Sequence, residues 1–353
     1  MGGEMFSKRS SHQAADAKMR ALTLTAAVAL AGCSKSSEWD ISITQGPALK
    51  PDVVKASAQR LQADLEKQGH AVVSSVPEGA TQLFVVVRYV HKPTGVQFPD
   101  PDGAGTKLLE QLSSSAASAL GIALKSLAQK EVFADGMTTD GASYFNQFSR
   151  LEGKRRDPAR IKEELAKFNT LQEQVTSSQE MGAADKQRAL DMLKKAAQEW
   201  ELLKAWVADF YDESRMSPLH AVAISSGCTA LVSENSALNS LVLRETLAGT
   251  DSPNTAASSY RALTLTELIK ECAAIALSSS TSDEATFGDV KLAKSQNARE
   301  DWIIAAGTNN RPVSVVLMGA GHRFNDNLAR LGLSNRVALI EVTPSKLVQI
   351  AKK

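Results

Sequence analysis

The sequence predicts an α/β protein: a mixed, mainly parallel sheet flanked by helices, with a helical-hairpin insertion. Three observations lead there. The valine-rich runs "LFVVVRYV" and "VSVVLM" are apolar at nearly every position, as strands covered on both faces are. Helix-period segments alternate with such runs, and the chain closes strand, helix, strand, helix, the order that sets parallel strands side by side. Residues 157–213 carry helix-period pattern throughout, with no strand among them.

Composition limits the function. The chain has 353 residues, enough for one large domain or two ordinary ones. Hydrophobic residues make up 43% and charged residues 22%, normal for a globular protein. Aromatics are only 5%, so the core must come from Ala, Leu, Val and Ile. The net charge of +1, with no basic stripe carrying interleaved aromatics, excludes nucleic acid as the main partner.

The N-terminus reads as an export signal. Lys18 and Arg20 precede an apolar run from Ala21 to Ala31, too short to span a membrane. Leu30-Ala31-Gly32-Cys33 then resembles the lipobox of bacterial lipoproteins. That likeness implies cleavage after residue 32, lipidation of Cys33 and a polar tether over 33–50. Ser34, where an aspartate would mark inner-membrane retention, implies the outer membrane, facing the periplasm. Several acyl chains would anchor the protein firmly, since one chain binds only marginally. Met1, Met5 and Met19 are all candidate starts. Cys228 and Cys272 remain: in an oxidising compartment they are either a disulfide pair or two buried small hydrophobes.

The α/β domain is expected over 51–353. Pro51 opens a helix whose apolar residues Val54, Ala58, Leu61 and Leu65 share one face. His70 follows Gly69 in a helix-to-strand turn and is expected to be exposed. Residues 69–76 and 81–91 read as strands, and "KPTGVQFPDPDGAG" as a loop. A long apolar helix over 106–129 leads to the short strand "KEVFAD" and a turn at Gly136.

The hairpin, an insertion at about 155–215, starts at Asp157-Pro158, an N-cap followed by a good first helical residue. One face carries Ile161, Leu165, Phe168, Leu171 and Val175. After Gly182 the other carries Leu190, Leu193, Ala197, Trp200, Leu203, Val207 and Phe210. It is read as an insertion packed on the sheet, the alternative being an arm for a protein partner. Loops at 250–260 and 279–286 flank a helix over 262–278. Then come a helix through "NAREDWIIAAG", the strand "VSVVLM", a helix from Phe324 to Arg330, the strand "RVALIEV" and a last helix from Pro344.

Chemistry gathers at strand ends. "MGAGHRFND" sets Gly319 and Gly321 in a turn that delivers His322. It lacks the third glycine of a dinucleotide loop and the lysine of a P-loop, so it is no nucleotide cradle. His91 closes "LFVVVRYVH", and Asp135 closes "EVFADGM" before Gly136. Ligands in open α/β sheets collect at the carboxyl ends of strands. Two imidazoles and a carboxylate make a candidate open site for a divalent metal such as Mn, Zn or Co, which would generate a nucleophile from bound water. Arg299, in the helix before the last histidine strand, is a candidate for stabilising developing negative charge.

Elsewhere His220 reads as a satisfied core histidine, Trp200 and Trp206 as core, and Glu341 as the partner of a basic neighbour. Ser226-Gly227-Cys228 is no nucleophile elbow, which needs G-x-S-x-G.

The order of these features resembles the Tiki/TraB/GumN proteins and their relatives, the haem-associated ChaN-like lipoproteins and the erythromycin esterases. Gly319-Ala320-Gly321-His322 is similar to the second G-x-x-H motif, Asp135-Gly136 to the acidic strand end, Arg299 to the arginine before the second motif, and "ALIEVTP" to the closing strand. Two positions depart: Arg88 stands where the first motif has glycine, and Asp135 where glutamate is usual. The resemblance covers about residues 75–150 and 260–345. It implies a metal-dependent hydrolase using His91, Asp135, His322 and Arg299. The alternative is a non-catalytic envelope lipoprotein that binds haem, another ligand or a protein partner.

Overall fold

A computed structural model describes residues 41–90, 98–151, 155–233, 238, 263–277, 286–287, 290–291, 296–322 and 324–352. His91 and Cys33 lie outside these residues, so the lipidation site and one expected ligand do too. Among the described residues no helix is long and apolar enough to cross a membrane.

The architecture is α/β, as expected. The chain runs α1 (Pro51–Glu66), β1 (Ala71–Ser75), β2 (Gln82–Tyr89), α2 (Ala104–Ser126), β3 (Glu131–Ala134) and α3 (Thr139–Arg150). Next come α4 (Pro158–Ser177), α5 (Ala183–Glu213), α6 (Pro218–Ser226), β4 (Thr229–Leu231) and α7 (Leu265–Leu277). The two-stranded ladder β5 (Thr286–Phe287) and β6 (Val290–Lys291) precedes α8 (Gln296–Asn310), β7 (Val313–Gly319), α9 (Asn325–Arg330), β8 (Val337–Thr343) and α10 (Ser345–Ala351).

Six strands form one sheet in the order β1-β8-β2-β7-β3-β4. All neighbours are parallel except β1, which runs antiparallel to β8. Strand β2 sits between β7 and β8 and is buried from Gln82 to Arg88. Its unbroken apolar run follows from that position. Phe84 and Val86 pack with Val316, Met318 and Leu339 against Ile303 and Ile304 of α8 and against Phe324 and Leu328. The alternate residues Leu83, Val85 and Val87 are buried as well, so both faces are covered. Helix α8 lies very close to the sheet: a Cβ on Gly307 would stand 2.9 Å from the Phe84 ring and 3.0 Å from Ser314 Oγ.

A second cluster joins Leu109 and Leu112 of α2, Leu265 to Ala276 of α7 and Leu347 of α10 around Val90 and Ala320. Helix α2 starts where Asp100 accepts the N–H groups of Gly105 and Thr106, at 2.8 and 2.9 Å. Its side chain satisfies donors that a helix start leaves open.

Residues 158–206 form a compact unit of their own, and the remaining described residues form the α/β unit. In the helical unit a turn joins α4 to α5, and Lys186 Nζ reaches back to the Thr176 carbonyl at 3.2 Å. The expected apolar face closes only in part. Ile161 is buried, Leu165, Phe168, Leu193 and Trp200 are half-buried, and Leu171 is exposed. Its ion pairs, such as Arg160 with Glu163, are exposed neighbours on one helix and contribute little.

Two expectations change, and one open alternative is decided. The stretch 41–50, expected within the tether, belongs to the α/β unit: Ile43 packs on its core and Leu49 N–H donates to the Thr81 carbonyl. His70 is buried rather than exposed, because its Nδ1 accepts the backbone N–H of Ser345 at 2.9 Å. Of the two readings of Cys228 and Cys272, the structure has the second: both are buried free thiols, not bridged to each other. Cys228 contacts the Leu219 carbonyl, while Cys272 sits in the apolar cluster around α7, so each fills a core position. Burial pushes each thiol up to about 12.

Candidate functional site

The parallel register decides which residues can meet. Ala134, the last residue of β3, is level with Leu317 of β7, and the Asp135 N–H continues the ladder to the Leu317 carbonyl at 2.8 Å. Asp135 and the end of β7 therefore emerge side by side at the carboxyl edge. Gly136 follows with φ of +75°, a left-handed turn that glycine adopts without steric penalty. Gly319 ends β7, Gly321 lies in the turn after it, and the His322 N–H returns to the Gly319 carbonyl at 3.2 Å. That tight turn swings the imidazole back over the strand ends.

Helix α8 supplies the rest. Arg299, Glu300 and Asp301 are consecutive and all buried. Arg299 donates to Asp135 in a buried ion pair. The second Asp135 oxygen accepts the Gly319 N–H at 3.2 Å and lies 3.5 Å from His322 Nε2. The other ring nitrogen, Nδ1, lies 2.8 Å from Glu300 Oε1. Asp301 accepts from Asn327 Nδ2 at 2.9 Å and from Arg330 at 2.9 and 3.1 Å, fastening α8 to α9.

His322 thus sits between two carboxylates. Burial alone would lower its pKa. Hydrogen bonds to Asp135 and Glu300, and their charges, outweigh burial and raise it to about 9. At neutral pH the ring is a proton-carrying cation. With Arg299 it balances Asp135 and Glu300, two charges against two.

Of the residues singled out from the sequence, Asp135, Arg299 and His322 come together with Gly319. His91 is not among the described residues. Glu300 was missed. A signal for it exists, since three successive charges just before the apolar "WIIAA" are unusual on a helix packed against a sheet.

One strand over, Arg88 near the end of β2 is buried and donates to Glu341 of β8 at 2.5 Å and to the Ala276 carbonyl of α7 at 2.6 Å. Glu341 therefore does pair with a basic neighbour. Arg88 has a structural task of its own: its guanidinium ties the last turn of α7 to two strands. His220 is held by Ser217 and Glu213, each at 2.8 Å, and packs on the Phe145 and Phe210 rings.

A divalent metal needs donors that are not already engaged. Asp135 is taken by Arg299 and the Gly319 N–H, and both ring nitrogens of His322 face carboxylates. Among the described residues no group of three His, Cys, Asp or Glu side chains is disposed to hold a metal ion. As arranged, these residues do not fit the metal centre that the resemblance implies. They fit a proton-carrying, charge-balanced cluster. No family model, curated protein or solved structure matches the chain.

Proposed function

We propose that the chain is a lipid-anchored protein of the bacterial envelope, and that its α/β domain carries a hydrolase-type site of the Tiki/TraB kind. The observation that carries this reading is the meeting of Asp135, Arg299 and His322, three residues far apart in sequence, at the carboxyl edge of the sheet. His322 is suited to donate a proton to a leaving group, and Arg299 to stabilise developing negative charge. Water would be the nucleophile. The lipobox-like Leu30-Ala31-Gly32-Cys33 supports this anchor at Cys33 and, with Ser34 after it, a domain in the periplasm bound to the outer membrane.

The test is a panel of fluorogenic esters and peptides incubated with the purified full chain, with and without Mn, Zn or Co. Hydrolysis that falls at least about a hundredfold in both His322→Ala and Arg299→Ala supports the site. Rates shared by wild type and variants, or no hydrolysis at all, overturn it. The anchor is tested apart from this, by whether Cys33→Ser loses partition into a detergent phase.

The burial and mutual saturation of the cluster favour a second reading, a non-catalytic lipoprotein that binds a ligand such as haem, or a protein partner through the helical unit. A Soret shift on adding haem to a protein without hydrolytic activity would select the haem-binding form.

A further inference from the structure

Helix α8 presents two adjacent side chains to the site, and they do different work. Successive residues on a helix point about 100° apart. Arg299 takes Asp135, and Glu300 takes His322 Nδ1. The His322 backbone follows a turn in which its N–H returns to the Gly319 carbonyl. That bond places the Cα and does not itself set the ring's last torsion, a broad and roughly two-fold well. A half-turn exchanges each ring nitrogen with a carbon and takes Nε2 off Asp135. What selects one orientation is an acceptor fixed opposite Nδ1, and Glu300 supplies it at 2.8 Å from a residue that is itself only 4% exposed.

We infer that Glu300 is the positioning residue of this site: its carboxylate holds the His322 ring so that Nε2 faces Asp135. The inference rests on the hydrolase-type reading for its catalytic consequence, while ring orientation is measurable without substrate. Glu300 makes no proposed contact with substrate and acts through the imidazole. Side-chain length matters here as much as charge. Glutamine keeps an oxygen at the same reach, whereas aspartate keeps the charge and falls one methylene short.

The experiment uses the full chain with 15N-labelled histidine rings, and long-range 1H–15N spectra of wild type, Glu300→Gln, Glu300→Asp and Glu300→Ala at one pH. His322→Gln assigns the signals of interest. Glu300→Gln is expected to keep a hydrogen-bonded Nδ1 signal for His322. Glu300→Asp and Glu300→Ala are expected to lose it, with the other histidine signals unmoved. Should Glu300→Ala fail to fold, the aspartate and glutamine variants still decide the matter. An unchanged His322 signal in Glu300→Asp, or a glutamine variant that behaves like the aspartate one, overturns the inference. On a hydrolysed probe, kcat for Glu300→Asp should fall about tenfold at unchanged KM, and Glu300→Gln should restore most of it. A wild type without hydrolysis removes the hydrolase reading, and the ring spectra still answer for Glu300.

Discussion

His70 caps the C-terminal helix: its Nδ1 accepts the Ser345 N–H at 2.9 Å, so the residue before the first strand secures the element that closes the described chain. Ser115 of α2 assists by accepting the Lys346 N–H at 3.1 Å. An imidazole that accepts through Nδ1 carries its proton on Nε2, and an imidazolium has no acceptor left. Burial lowers the His70 pKa below its ordinary 6.5. The unfolded chain therefore binds this proton first. The contribution is complete above pH 6.5 and is lost as pH falls through the lowered folded value. Thermal melts from pH 7.5 downward should show this loss, and His70→Ala should reduce it while costing about 1–3 kcal/mol at neutral pH.

His322 has the opposite sign. Its folded pKa of about 9 exceeds the ordinary 6.5, so its contribution is complete below 6.5 and disappears as pH rises through about 9. Melting temperature should fall across that alkaline window in the wild type, and the fall should be smaller in His322→Gln.

The Arg88–Glu341 pair is buried, with side-chain exposures of 6% and 7%. Removing either partner alone leaves a charge inside the sheet, a loss of about 3–5 kcal/mol. Denaturant melts of Arg88→Met, Glu341→Leu and the double variant should give a double variant more stable than the sum of the single losses. Additive losses would mean that the pair is not coupled.

Gly307→Ala tests the approach of α8 to the sheet. The added methyl would stand 2.9 Å from Phe84. Overpacking of this kind costs about 1–3 kcal/mol. Because the same helix carries Arg299 and Glu300, the His322 ring signals should shift along with the melt.

Cys228 and Cys272 are buried thiols held at about 12. Neither should react with a thiol reagent in the native protein at pH 8, and both should react after unfolding. Rapid native labelling of either would place it at the surface.

The alternation of strands and helices was legible in the sequence because burial on both faces leaves an unbroken apolar run, as in β2 and β8. Asp135, Arg299 and His322 were legible because each stands at a boundary where apolar pattern ends or begins. Glu300 could be marked only as one of three successive charges, since periodicity says which face a residue takes and not which side chain it meets across the sheet. The Arg88–Glu341 pair was half legible. Each is a lone charge in an apolar strand, but Arg88 read as a lost glycine until its bond to the Ala276 carbonyl gave it a structural task. His70 was misread because a glycine turn suggests solvent, and nothing local announces that the chain end returns to cover it.

The placement of β2 has a consequence for synthesis. Its neighbours are β7 and β8, the last two strands in chain order among the described residues. A ribosome that has delivered only the first three hundred residues has released a valine-rich strand with neither partner. The sheet cannot close, and Asp135 cannot meet His322, until the C-terminal segment arrives. Such a chain stays open while it is being made and folds once those strands have emerged.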